Sequence, residues 1–97
     1  MSIKDFKGLE IAGANTDVYN VETGEYKKGQ TVIVEFKQTI PLNPDRYTIS
    51  FGCTRFDENG ELQVFDRKYD IIIFEVTSNR GCLGVMDLKT DIIIKEL

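Results

Sequence analysis

The stretch 42–47, Leu-Asn-Pro-Asp-Arg-Tyr, constrains this chain more than any other. It reads as a tight corner that ends on a tyrosine and feeds straight into the alternating run Tyr47-Thr48-Ile49-Ser50-Phe51-Gly52-Cys53. In β-sandwiches a tyrosine just after such a turn folds its hydroxyl back onto the turn's backbone. Its ring then covers the core while the oxygen keeps a partner. Pro44 fixes φ at the bend, and Asp45 is expected to take the left-handed conformation there, which aspartate tolerates. Tyr47, Ile49, Phe51 and Cys53 are assigned to the inner face, and Arg46, Thr48, Ser50 and Thr54 to the outer one.

The rest of the chain supports a β fold. No apolar stripe holds a helical period for three turns. Val32, Val34 and Phe36 share one face of a half-buried strand predicted over 31–37. Gly8 to Ala14 alternates, with Leu9 and Ile11 on one face, and its glycines suggest a bulge. Asp57-Glu58-Asn59-Gly60 is a hairpin turn, since Asn-Gly is a strong short-range signal for one. Leu62 to Phe65 returns as a short strand, Ile71 to Val76 is a central strand, and Gly84 to Leu88 is a short strand or extended loop. The isoleucine-rich stretch from Asp91 to Leu97 is a last strand, apolar on both faces. An edge of that kind is sticky and is expected to be covered by its own sheet or by a second copy. With both prolines at one corner and turns between six or seven short strands, the expectation is one all-β domain over 1–97, an antiparallel sandwich.

Composition narrows the function. At 97 residues with 41% hydrophobic content the chain is a single globular domain. Twelve basic against sixteen acidic residues leave −4, which speaks against nucleic acid or an anionic membrane as the main partner. No run is long enough to span a membrane, and residues 1–5 show no signal-peptide core. Cys53 and Cys82 lack metal-ligand spacing and are expected as two buried free thiols.

The absence of histidine removes the commonest general base and metal ligand. Cys53 therefore lacks the usual activating base of a nucleophile. Asp17, Asp57, Glu58, Asp66 and Asp70 fall almost entirely in turns, where a solvated carboxylate is the ordinary finding. A calcium site at 57–60 has too few ligands to be claimed. No phosphate-cradling Gly-x-x-x-x-Gly-Lys-Ser/Thr loop is present. Neither an enzyme nor a cofactor or metal is implied.

Aromatic faces that pack on sugar C–H surfaces, beside planar polar groups that bond hydroxyls, suit a carbohydrate. Arg55, Phe56, Phe65, Asp66, Arg67 and Tyr69 lie on one hairpin and its exit, where they can form one patch. The competing role for Phe56, Phe65 and Tyr69 is to close the end of the sandwich. Tyr47 is placed with the fold, not the patch.

Three stretches in order carry a family resemblance. They are Gly8-Leu9-Glu10-Ile11-Ala12-Gly13-Ala14-Asn15-Thr16, then Leu42-x-Pro44-x-x-Tyr47-x-Ile49-Ser50, then Tyr69-Asp70 running into Ile73-Phe74-Glu75-Val76. Together they resemble the C-terminal domain of the ATP-binding subunit of polysaccharide ABC exporters of the O-antigen and teichoic-acid type. Gly29 before the 31–36 stretch and Gly84 before Val85 fit the same pattern, and Asp45 stands where the family corner usually has glycine.

The resemblance implies a jelly-roll-like sandwich that is non-catalytic and recognises the exported polysaccharide. It also implies a homodimer, in some relatives formed by exchange of the last strand, here Asp91 to Leu97. Its partners would be the transporter ATPase and membrane subunits, at the cytoplasmic face of the inner membrane. The family's ATPase domain and the first strands of its sandwich have no counterpart in these residues, so the chain is expected to be a fragment of a larger transporter protein. The alternative is a structural or protein-interaction sandwich with no sugar affinity.

Overall fold

A computed structural model describes all residues, Met1–Leu97. It contains no helix and one antiparallel sheet of four strands: β1 (Ser2–Asp5), β2 (Glu10–Gly13), β3 (Asp45–Phe56) and β4 (Leu62–Val76), in the order β2-β1-β3-β4. The fold is all-β, as expected, and consistent with a β-sandwich domain of which one sheet is formed.

The corner forms as its sequence predicts. The Tyr47 hydroxyl donates to the Asn43 carbonyl at 2.5 Å, and the residue is only 2% exposed. Its ring stacks on Phe74, its cross-strand partner, with centroids 5.4 Å apart. Ile3 and Leu42 complete the buried cluster, and Ile11, Ile49, Phe74 and Val76 pack around it. The Asn43 side chain is a knot: its amide donates to the carbonyls of Leu83, Gly84 and Met86 at 2.7, 2.9 and 3.2 Å. The stretch 84–88, expected as a short strand or extended loop, is an extended loop held by a single bridge, Leu42 to Met86. Asp45 departs from expectation. It does not take positive φ but opens β3, where its carboxylate accepts from the Arg46 amide. The non-glycine residues at positive φ are Asn20, Asp70 and Lys89.

The turns read from glycines are present. Gly60, at φ 78°, closes the β3–β4 hairpin, and the Asp57 carboxylate accepts from the Asn59 and Glu61 amides. The bulge predicted around Gly8 to Ala14 appears as a register shift between Ile3 and Lys4, with Ile11 the extra residue on β2.

Three strand expectations are corrected. The runs 62–65 and 71–76 are not two strands but parts of β4, joined through bulges. Residues 31–37 and 91–97 form no strand, although both carry the right pattern. A strand needs a ladder partner, and neither segment has one within the chain. Their apolar side chains stand in solvent, Ile33 83% and Ile94 93% exposed. The cysteines are corrected too: Cys53 and Cys82 are both exposed. Cys53 sits on its predicted face of β3, but no second layer covers that face.

The missing layer is measurable. Five of 97 residues are buried, and the radius of gyration is 18.4 Å, against about 12.5 Å for a compact domain of this length. The accessible area of 9024 Å² exceeds by roughly 3,400 Å² what a folded monomer of 11.1 kDa exposes.

Candidate functional site

β1 reaches along β3 only as far as Ser50, which pairs with Ser2. Beyond that point β3 and β4 run on as a two-stranded ribbon, and all six candidate residues lie on it. The β3–β4 register slips twice. Between Ile49 and Phe51, β4 carries two extra residues; between Cys53 and Thr54 it carries one, Phe65. Bulges of this kind bend a strand and re-aim side chains.

The first slip is built with care. Asp70 takes a left-handed φ of 49°, a conformation that aspartate tolerates and that neighbouring hydrogen bonds can hold. Here Ser50 and Thr48 do so. The Asp70 amide donates to the Ser50 hydroxyl oxygen at 2.8 Å, and the Thr48 hydroxyl donates to the Asp70 carboxylate at 2.9 Å. Ser50, assigned to the outer face, is 6% exposed because the bulge folds over it.

The result is the position of Tyr69, the residue before the bend. It stays 63% exposed, with the Lys4 ammonium 5.5 Å from its ring centroid and Arg67 Nη1 3.4 Å from its hydroxyl. Lys4, Glu10, Asn15, Ser50, Arg67 and Tyr69 line an open cleft of about 420 Å³. It lies on the sheet face opposite the Tyr47 cluster, since Lys4 pairs with Thr48 and Arg67 with Gly52. Gly52 faces the Arg67 stem across the ribbon; a Cβ there would sit in ordinary contact with Arg67 Cγ at 3.7 Å.

Alternation along β3 sorts the six candidates. Arg55 and Asp66 lie on one face, where the bulged Phe65 meets Arg55, its ring centroid 5.5 Å from the guanidinium. Arg55 also donates to the Gln63 side chain at 3.1 Å, and Asp66 pairs with Lys68 at 3.8 Å. Phe56, Arg67 and Tyr69 lie on the other face, Phe56 at the hairpin tip. The structure thus brings Arg67 and Tyr69 together, and Arg55 and Phe65 together, on opposite sides. The three aromatics do not close a sandwich end, because all stand exposed.

Lys4, Glu10 and Ser50 join the cleft without having been singled out from sequence. Their place depends on the β1–β3 and β1–β2 registers, which no local motif reports. A larger cleft, about 650 Å³, lies instead at the corner, between residues 40–44 and 76–90, and holds none of the six candidates. Its rim carries the Arg80–Asp87 ion pair at 2.8 Å. The backbone amide of Lys89 and the Arg80 guanidinium hold the Asp87 carboxyl below its ordinary value.

The outer face of this all-β chain thus presents one exposed aromatic ring beside two cations. Residues 1–88 match the family model described as the Wzt C-terminal domain, and the chain belongs to that family, the C-terminal domain of polysaccharide ABC exporter ATPase subunits. Searches of curated proteins and of solved structures found no match.

Proposed function

We propose that the chain is a non-catalytic carbohydrate-binding module that recognises a cell-surface polysaccharide for export. The observation that carries this reading is Tyr69, a ring held in the open by a hydrogen-bonded bulge, in a chain of the Wzt C-terminal family. Beside it stand planar and hydroxyl-bonding groups of the kind that fix sugars. Arg55 with Phe65 and Phe56 at the tip extend the surface along the ribbon. Single sugar sites are weak, because hydroxyls exchange water bonds for protein bonds at little net gain, so paired copies add avidity.

The excess exposed area supports pairing. It is larger than the roughly 1,000–2,500 Å² that an obligate dimer interface takes from each partner. In this reading the stretch from Asp91 to Leu97 joins the sheet of a second copy. The remaining surface meets the transporter's ATPase and membrane subunits on the cytoplasmic side. The test is titration of the full chain with the source cell's own surface polysaccharide. Saturable binding that Tyr69→Ala abolishes is expected. No binding by the assembled protein would sink the proposal.

The same exposed apolar surface favours a second reading, a protein-interaction module without sugar affinity. It predicts assembly, measured by light scattering, that depends on residues 91–97 while the glycan titration stays flat.

A further inference from the structure

We infer that the outer-face cleft selects an anionic sugar unit, one bearing a carboxylate or a phosphate, with Lys4 and Arg67 as its counter-charges and Tyr69 as its platform. The inference rests on the glycan-binding reading above and adds the ligand's charge.

Three ion pairs occur in the chain: Lys37–Glu35, Lys68–Asp66 and Arg80–Asp87. Lys4 and Arg67 take part in none of them, yet both converge on one ring. A neutral sugar needs the ring and hydroxyl partners alone; two cations outside any ion pair, in a chain of net charge −4, add counter-charge that an anionic sugar would use. Solvated surface cations are common, but these two are set around a built feature. The Asp70 bulge, fixed by Ser50 and Thr48, holds Tyr69 beside residues brought from β1 and from β4.

Ser50 adds a donor. Its oxygen accepts from the Asp70 amide, and its hydroxyl, which lines the cleft, can also donate. A guanidinium offers a fork that matches either a carboxylate or a phosphate, and the ammonium adds a point charge. Glu10 is the one carboxylate lining the cleft. It opposes an anion and sets an upper limit on affinity, which makes it a diagnostic position.

The experiment titrates the full chain with three preparations of the source cell's surface polysaccharide. One is native, one has its carboxyls reduced to alcohols, and one has its phosphates removed by hydrogen fluoride. One of the two treatments is expected to weaken binding roughly tenfold, as loss of a charge-assisted contact does, and which one names the anion. The double variant Lys4→Ala/Arg67→Ala, checked for native circular dichroism, should lose the preference. Lys4→Arg should keep it, and Glu10→Gln should strengthen binding of the native polymer. Equal binding of all three preparations, or a preference that survives the double variant, overturns the inference while leaving glycan recognition in place. A chain that binds none of the three loses both.

Discussion

The corner around Tyr47 and the ribbon around Tyr69 are built from the same two strands, yet they meet opposite fates. Near the corner, β1 flanks β3, Leu42 caps the ring of Tyr47, and the Asn43 amide ties down three carbonyls of the 83–86 segment. Past Ser50 none of this cover continues, and Phe56, Phe65 and Tyr69 face water. The alternating apolar pattern is similar in both halves. What differs is the neighbours, so burial here is a property of topology and not of the local sequence.

The largest test of that contrast exchanges two tyrosines for alanine. Tyr47→Ala should cost about 3–4 kcal/mol in urea denaturation, the usual loss for a buried aromatic. Tyr69→Ala should stay within about 0.5 kcal/mol, as exposed positions do, while glycan binding fails. Comparable costs at the two sites would erase the distinction.

Next comes Asn43→Ala. It removes the donor shared by three carbonyls and should cost about 2 kcal/mol. Hydrogen exchange should rise at 83–89 and remain unchanged on the ribbon.

Tyr47→Phe is subtler, at about 1 kcal/mol for the lost hydroxyl bond. It also changes a pH profile. Burial first, then the nearby Asp45, Cys82 and Asp5, raise the Tyr47 phenol above its ordinary 10.0. The stability linked to this phenol is therefore complete below pH 10.0 and drains away as pH climbs through the raised value. An alkaline melting series should show that step in the parent and lose it in Tyr47→Phe.

On the ribbon, Gly60→Ala puts a side chain at φ 78° and should cost about 1 kcal/mol, read as loosening of the hairpin tip with the corner intact. Smallest is Asp87→Asn. The Asp87 carboxyl is depressed below its ordinary 3.8, so its contribution is present above pH 3.8 and is lost as acid carries the pH through the folded value. Exchange at 80–89 should rise at acid pH in the parent and show a weaker pH response in the variant.

The corner, the Asn59-Gly60 hairpin and the absence of helices were legible because each is written in a few adjacent residues. Tyr47 needs only Asn43, four positions away, to close its bond. The stretch 31–37 shows the limit. Its valines and phenylalanine spell a strand, but a strand also requires a neighbour, and pattern alone says nothing of one. Cys53 failed for the same reason: its face was right, and the layer expected over it is not there. Of the candidate site, Arg67 and Tyr69 could be read from an exposed hairpin. Lys4 could not, because 65 residues separate it from Tyr69 and only the β1–β3 register joins them. The bulge at Asp70 was hidden too, since nothing in Tyr69-Asp70-Ile71 announces two extra residues against Ser50.

The two register slips in β4 also bear on how the molecule avoids its own kind. β4 is the outer strand of the sheet, 15 residues long, and it carries exposed isoleucines at 71–73. A flat edge of that length would template stacking between molecules. The bulges cut its regular ladder into 62–64, 66–68 and 72–76, separated by residues out of phase. A straight intruding strand can follow at most one of these pieces before the geometry turns away. The bends that present Tyr69 thereby give a chain with so much uncovered apolar surface a brake on aggregation.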